Sequence, residues 1–524
     1  MPIPGLENNI GILLEKSAVR HGNKKAIHFD QEDTFYSYTE LNTMANQYAN
    51  IFKSKGIGLK DHVAVMLPNC PEFPITWLAL AKLGAVMVPL NVRYQVADME
   101  YVLKDSDAKA IVIHIDYTTV FNEVRDKTPG VKTVFAIGQG DLAKSLPLAE
   151  LARQASPEFE TRNLTLDDVI NIQYTSGTTG FPKGCILTHE YWLTIGDAVT
   201  QHMGEEDVFL SVTPFYYMDP QWELISCLLV GATLVLTRSY SPTAYMDLVR
   251  KHQATVSWAT MAPWILKQPP SELDRQHKLR FLLVGGFPPD LHRPFEERFN
   301  VITREAYGMT EIGPGMFVPP KDDHMTGSGS VGIPFETRQV RIVDGQEKDV
   351  PKGDIGELWI KGPGMFKGYY NKPVETADAF DGEWFKTGDL FKEDDNGYFY
   401  IVGRKKDMIR RSGDNISASE LEDVLTSHPK IMSVAAVPVP DRDRGEEVKV
   451  YIVPNAGETL ESIPPEDIIT FCRDKIASFK VPRYVEYCKE FSLTPSGKIQ
   501  KHVLLSEKED LTDDCYDRFS DTNK

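Results

Sequence analysis

Cysteine is scarce in this 524-residue chain: the six, Cys70, Cys185, Cys227, Cys472, Cys488 and Cys515, are scattered, and no two stand in Cys-x-x-Cys spacing. That argues against a structural zinc site or a disulfide framework and fits a reducing, cytoplasmic compartment. The opening Met-Pro-Ile-Pro-Gly-Leu-Glu-Asn-Asn lacks a basic stretch followed by an apolar run, so no secretory leader is expected. Long hydrophobic runs are missing too. The most apolar stretches, Trp77 to Leu90 and Leu224 to Leu236, are broken by Lys82 and by Gly-Ala pairs, and each reads as a buried helix turning into a buried strand, not a membrane span. Basic residues are outnumbered, 57 Lys and Arg against 75 Asp and Glu, for a net charge of −18. A nucleic-acid partner needs a basic face, so none is expected.

The length exceeds what one hydrophobic core serves, so two or more domains are expected. Strands rich in Val, Ile and Leu alternate with helical patterns, as in residues 61–68, a helix from Glu72 to Leu83, then residues 85–90, which indicates an α/β architecture with parallel sheets. From about Val331 to Val402 the texture changes to short strands separated by Gly, Asp and Asn turns, the pattern of an antiparallel sheet or small barrel. A compact α+β pattern follows the charged run Arg404 to Asp407. It includes a capping-box form at Ser417 to Glu420, strands near 433–439 and 447–453, and a helix near 467–476. The expected division is therefore 1–403 and 404–524, with a loose acidic tail after Ser506.

Residues 174–184, Tyr-Thr-Ser-Gly-Thr-Thr-Gly-Phe-Pro-Lys-Gly, follow a short apolar strand from Val169. The hydroxyls of Thr175, Ser176, Thr178 and Thr179, the backbone N–H groups freed by Gly177, and the charge of Lys183 suit anionic oxygens, so this is a phosphate loop. It is not a Walker A loop, because Pro182 precedes the lysine and Gly184 follows it, with no helix opening behind. An ordinary polar turn has no use for so many donors.

Other parts recur downstream. Tyr307 to Glu311 offers an aromatic plate, a hydroxyl and a carboxylate within five residues, and Gly285 and Gly286 open a tight turn before Phe287. Thr387-Gly388-Asp389 presents a carboxylate that suits a vicinal diol, Gly403-Arg404 begins the charged run containing Lys406, and Thr494 to Gln500 carries Lys498. Each motif alone has a bland reading as a turn or a solvated charged face, and Tyr307 to Glu311 also reads as a helix start capped by Thr310. Their joint occurrence, in order from Tyr174 to Lys498, resembles the adenylate-forming superfamily of acyl-CoA synthetases, peptide-synthetase adenylation domains and luciferases.

The resemblance implies ATP, Mg²⁺ and coenzyme A as cofactors and co-substrates. It assigns adenine stacking to Tyr307, the α-phosphate to Thr310, Mg²⁺ to Glu311, a wall of the nucleotide and acyl pocket to Gly286, and ribose contacts to Asp389 and Arg404. Lys406 falls at the hinge about which a mobile C-terminal domain turns, and Lys498 bridges the carboxylate and the α-phosphate. Gly413, Arg410 and Arg411 border the CoA path, although two exposed arginines in a loop read equally as solvated. The expected activity is that of an AMP-forming acyl-CoA ligase. Non-catalytic adenylate binding is the alternative of another class.

Where this superfamily usually has Pro-x-x-His, this chain has Tyr217. An aromatic set, Tyr216, Tyr217, Trp222, Trp258, Trp264 and Phe287, with Asp219, Glu223 and Met309, suits either a cage for a quaternary ammonium or plain core packing. The residue order, notably at 268–277 and 409–420, is similar to bacterial carnitine/crotonobetaine CoA ligases. That implies a small betaine-type acid, with a short or medium fatty acid or an aryl acid as the alternative. The physiological acid and the oligomeric state stay open, a homodimer included.

Overall fold

The computed structural model describes residues 9–140, 142–175, 182–238, 241–259, 262–411, 414–442, 444–458, 462–473, 475–476, 478–494, 497–508 and 510–520. The chain divides into two compact units, one of Met1–Thr175, Pro182–Val340 and Ile360–Phe385, the other of Ser176–Phe181, Arg341–Trp359 and Lys386–Lys524.

The first unit holds two large, mostly parallel sheets, as the alternating pattern predicts. The seven-stranded sheet sets His62–Met66 between Val86–Pro89 and Ala110–His114. Beyond Val86–Pro89 it continues through Val169–Thr175 to an antiparallel edge strand, Lys183–Thr188. The nine-stranded sheet sets Val208–Ser211 in parallel between Thr233–Leu236 and its central strand, Val256–Trp258. The two apolar stretches resolve as expected. The helix Glu72–Leu83 turns into Val86–Pro89, and Met218–Val230 into Thr233–Leu236, each turn made by a left-handed glycine, Gly84 or Gly231. Lys82 is buried, not exposed, and its ammonium donates to Glu15 at 2.8 Å and to Thr161 at 3.0 Å. Among the described residues no helix is long and apolar enough to cross a membrane.

The antiparallel texture beyond Val331 is a five-stranded sheet in which Trp384–Glu393 pairs antiparallel with Phe380–Asp381 and with Phe399–Arg404. In the second unit a six-stranded sheet packs on helices around Ile409, Leu421, Leu425, Val450, Ile468 and Cys472. Here the helix Ala418–Thr426 begins as expected, with the Ser417 hydroxyl accepting from the Glu420 backbone N–H. The reciprocal half of the capping box is replaced by an ion pair, since the Glu420 carboxylate meets Lys480 at 2.6 Å. The segment after Ser506 departs from the expected loose tail. Tyr516–Asp517 adds antiparallel to Tyr484–Tyr487, Asp517 holds Arg483 through two bonds of 3.0 and 3.1 Å, and Lys508 donates to Glu486. Acidic composition signals disorder only when nothing basic is folded beside it, and here Arg483 and Lys508 are.

His189 opens the helix His189–Thr200 fully inside the first unit, and its Nδ1 accepts the Ile10 backbone N–H at 3.3 Å. Burial drives its pKa down from 6.5 to about 4. The folded state therefore resists a proton that the unfolded chain accepts, and stability is lost as pH falls from 6.5 through 4, by about 3 kcal/mol for a shift of this size. Chemical-denaturant titrations should show His189→Asn losing less stability than the wild type across that window, by that order. Parallel losses in both proteins would contradict this role.

Candidate active site

The site grows from the edge of the seven-stranded sheet. Val169–Thr175 and Lys183–Thr188 form a hairpin in register, Thr175 opposite Lys183 and Tyr174 opposite Gly184, so the phosphate loop is a hairpin connection. Ser176, Gly177, Thr178 and Thr179 lie outside the described residues. Gly184 is required by close approach, since a Cβ there would meet Ile172 Cγ2 at 2.5 Å. The outer side of the return strand is taken by residues 367–370. Ile186 N donates to Gly368 O at 3.0 Å, Lys367 N to Ile186 O at 2.9 Å, and Tyr370 N to Gly184 O at 2.8 Å.

Tyr307 to Glu311 is not a helix start. The strand Ile302–Met309 runs through Tyr307 and turns at Thr310 and Glu311 into Gly313–Phe317, a hairpin that Gly308 permits, because a Cβ there would meet Gly313 O at 2.6 Å. Tyr307 is buried, with its hydroxyl on Met309 Sδ at 3.4 Å. Glu311 is buried, its Oε1 accepts the Tyr369 hydroxyl at 2.9 Å, and its backbone oxygen accepts Phe366 N at 2.9 Å. The Tyr369 ring carries Lys183 Nζ 4.2 Å from its centroid. Tyr369 was missed in the sequence because its chemistry lies in what it joins.

Thr310 connects this turn to the helix Met218–Val230, its hydroxyl lying 3.6 Å from Met218 Sδ at the helix start. That helix start is fixed by buried amides: Gln173 Nε2 donates to Tyr216 O at 2.8 Å, Asn171 Nδ2 to Gln221 Oε1 at 2.9 Å, and Gln221 Nε2 to Tyr217 O at 2.9 Å. Tyr217, half-buried, accepts from Asn91 at 3.2 Å and packs on Tyr216, ring centroids 4.7 Å apart. Asp219 and Glu223 lie one turn apart on this helix. Burial raises Asp219 to about 6 and raises Glu223 well above the usual carboxylate range. Glu223 is 0% exposed, its carboxyl has the Ser211 hydroxyl beside it, and no cation among the described residues acts on it. The hydroxyl of Thr213 and the indole N–H of Trp258 are buried without partners. Trp222 and Trp258 meet edge to face at 6.3 Å, and Trp258 rests on Gly285, where a Cβ would come within 3.0 Å of its ring.

The glycine turn is held by the carboxylate of Glu305, which accepts from the backbone N–H groups of Gly286 and, at 3.3 Å, Phe287, with Gly286 at φ +68°. Two aromatics assigned to the acyl set go elsewhere. The Phe287 side chain packs on His292 and Phe295 within a core that includes Leu210 and Val212, residues that alternate along the strand with Phe209 and Ser211 and so face the opposite side of the sheet. Trp264 is 50% exposed and carries Lys267 over its ring. Identity alone cannot tell which sheet face an aromatic takes.

In the second unit Asp389 is buried on the strand Trp384–Glu393 directly opposite Arg404, whose Nε lies 2.5 Å from its carboxylate. Lys405 pairs with Glu357 at 2.8 Å, and Glu357 also accepts from Gly388 N. Lys406 sits in the 3-10 turn Lys405–Asp407. Lys498 is exposed on a turn in which its backbone N–H donates to Thr494 Oγ1 at 3.0 Å and its oxygen accepts Thr494 N at 2.7 Å. Arg410 and Arg411 belong to the strand Met408–Arg411, not to a loop, and the described part of the segment stops there, leaving Gly413 outside. Arg411 is buried, with Nε 2.7 Å from Glu447, which Arg444 also meets at 3.0 Å. Its guanidinium thus already has an internal anion.

Each unit thus carries groups of the kind expected of a nucleotide-dependent, adenylate-forming ligase: in the first a carboxylate joined through Tyr369 to Lys183, in the second a carboxylate–guanidinium pair and a turn-borne lysine. The chain belongs to the AMP-binding enzyme family, which it matches over residues 14–370, with the family's C-terminal domain matched over 420–498. Among curated relatives it is 37% identical over 484 residues to the crotonobetaine/carnitine–CoA ligase of Proteus mirabilis, covering 89% of this chain and 93% of that one. It is 37% identical over 503 residues to the same-named ligase of Salmonella enteritidis, covering 92% and 96%. Among solved structures it is similar to the anthranilate CoA ligase AuaEII in complex with anthranoyl-AMP, with TM-score 0.87 and 25% identity over 96% of this chain and 98% of that one. It is similar also to ATP-bound MatB from Rhodopseudomonas palustris, with TM-score 0.84 and 28% identity over 95% and 98%.

Removing Arg411 leaves Glu447, 0% exposed, without its main counter-charge. Arg411→Ala should therefore destabilise the second unit by about 3–5 kcal/mol, the size for breaking a buried pair. Arg411→Ala/Glu447→Leu should recover much of that loss in a thermal melt. A stable single variant with selectively weakened CoA binding would contradict the structural assignment.

Proposed function

We propose that this enzyme joins a small carboxylic acid bearing an onium group to coenzyme A, in two half-reactions. A carboxylate oxygen attacks the α-phosphorus of ATP and the bond to pyrophosphate breaks, giving the acyl-adenylate. The CoA thiol, losing its proton, then attacks the acyl carbon, and AMP leaves. No side-chain nucleophile is needed, so the work is positioning and charge stabilisation.

Thr175, Ser176, Gly177, Thr178, Thr179 and Lys183 take the β- and γ-phosphates, Tyr307 and Gly286 the adenine, and Asp389 with Arg404 the ribose diol. Glu311 supplies a hard oxygen donor beside the phosphate loop, which fits Mg²⁺, a cation that takes one or two carboxylates together with substrate phosphates. Bound there, it would act as a Lewis acid on phosphate oxygens. Thr310 and Lys498 stabilise charge on the reacting centre. The division at residue 403 and the turn at Lys406 give the C-terminal part a pivot, after which Gly413 and Arg410 border the CoA path. A hydrophobic core that begins at Ile409 supports that division.

The observation that carries the substrate reading is Glu223. A carboxyl buried without a counter-charge stays protonated until a cation is placed beside it, and then ionises to meet that cation. Trp222 precedes it on the helix and meets Trp258, and Asp219 is one turn away. A cation 4 Å from a carboxylate gains about 4 kcal/mol at an effective dielectric of 20, against about 0.5–2 kcal/mol from a ring face. The acid, more than the rings, therefore selects an onium head. The names of the crotonobetaine/carnitine ligases support the same class.

Glu223→Gln keeps shape and removes the group that can ionise beside a cation. It should raise KM for γ-butyrobetaine about tenfold, for roughly 1.4 kcal/mol lost, with KM for MgATP and thermal stability unchanged. Because Asp219 ionises near pH 6, KM for the cationic acid should fall as pH rises through 6 in the wild type. Unchanged KM in the variant would refute the onium reading. Separately, Lys498→Ala should abolish adenylate formation yet spare thioester formation from supplied acyl-adenylate, and equal loss of both would contradict the domain turn.

A further inference from the structure

The geometry points to Tyr369 as a positioning residue that ties the cation-binding carboxylate to the phosphate-loop lysine, a role that goes beyond the reaction proposed above. Its two ends do different work. The hydroxyl donates to Glu311 Oε1 at 2.9 Å, and the ring face carries Lys183 Nζ at 4.2 Å. The side chain is buried, and its backbone is held by its own N–H donating to Thr376 Oγ1 at 2.9 Å and by a bridge to Cys185.

The segment around it makes the same connection through the main chain. Residues 367–370 run along the return strand of the phosphate hairpin, while the preceding residue, Phe366, donates to the oxygen of Glu311. Displacing that strand therefore displaces the Glu311 turn as well. A carboxylate that holds a metal is oriented by the hydrogen bonds it accepts, and losing such an outer partner costs about 10–100-fold in metal affinity. One Glu311 oxygen is oriented by Tyr369, which leaves the other to face a cation. The ring holds Lys183 beside the same carboxylate, so the charges that meet the triphosphate and its metal share one mount.

Two substitutions separate the ends. Tyr369→Phe keeps the ring and drops the hydroxyl, and Tyr369→Leu drops both. With ATP and Mn²⁺ as the probe, electron paramagnetic resonance titration of free Mn²⁺ should show Tyr369→Phe weakening metal binding about tenfold, the low end of the outer-partner range. Half-saturating Mg²⁺ in pyrophosphate exchange should rise by the same factor, with KM for the carboxylic acid unchanged. Tyr369→Leu should add a rise in KM for ATP at saturating Mg²⁺. Wild-type Mn²⁺ affinity in Tyr369→Phe would overturn the proposal. So would a uniform loss, in which the acid KM, Mn²⁺ affinity and melting temperature all worsen together, since that marks a packing role only.

Discussion

The antiparallel strand Lys183–Thr188 is the constraint on which the arrangement of Lys183, Tyr369 and Glu311 in the first unit depends. On one side it closes the hairpin with Val169–Thr175 and so fixes both ends of the phosphate loop. On the other it accepts residues 367–370, which carry Tyr369 and lead back to Glu311. A parallel βα loop would leave its phosphate donors attached at a helix N-terminus. Here both ends of the loop are strands, and the lysine begins the return strand where the sheet can brace it. The absence of a helix behind Lys183, which separates this loop from a Walker A motif in the sequence, is the same fact seen in one dimension.

A second constraint is acid groups kept out of water without a counter-cation. Glu223 is enclosed with the Ser211 hydroxyl beside it, and burial raises both it and Asp219 on the same helix. The amide chain through Asn171, Gln173 and Gln221 contrasts with this, because there every bond that holds the helix start is made inside the protein. The fold thus satisfies the amides that position the helix start and leaves the two acids on that helix without a cation. Lys82 and Arg411 show the alternative treatment, a buried cation matched by its own acid.

Much of this was legible in the sequence. The helix Glu72–Leu83 and the strands of the C-terminal sheet follow from periodicity, and the phosphate loop, the Tyr307 to Glu311 run and the Asp389 and Arg404 positions follow from motif chemistry. What was illegible depended on tertiary partners. Tyr369 carries no signal until Glu311 and Lys183 are beside it, and Arg411 reads as an exposed cation until Glu447 is buried under it. Phe287 and Trp258 have equal aromatic weight in a string of letters, yet Phe287 packs on Phe295 in the core and Trp258 meets Trp222. The acidic end reads as a tail until Arg483 supplies the charge that binds it.

Acid-dependent exchange of labelled pyrophosphate into ATP tests the central claim most directly, with γ-butyrobetaine and its uncharged isostere 5,5-dimethylhexanoate compared at equal concentration. The two differ only in nitrogen against carbon at the head. The account predicts exchange with the cation at a kcat/KM at least about tenfold above the neutral acid, a difference of roughly 1.4 kcal/mol. Equal or faster exchange with the neutral acid would contradict it.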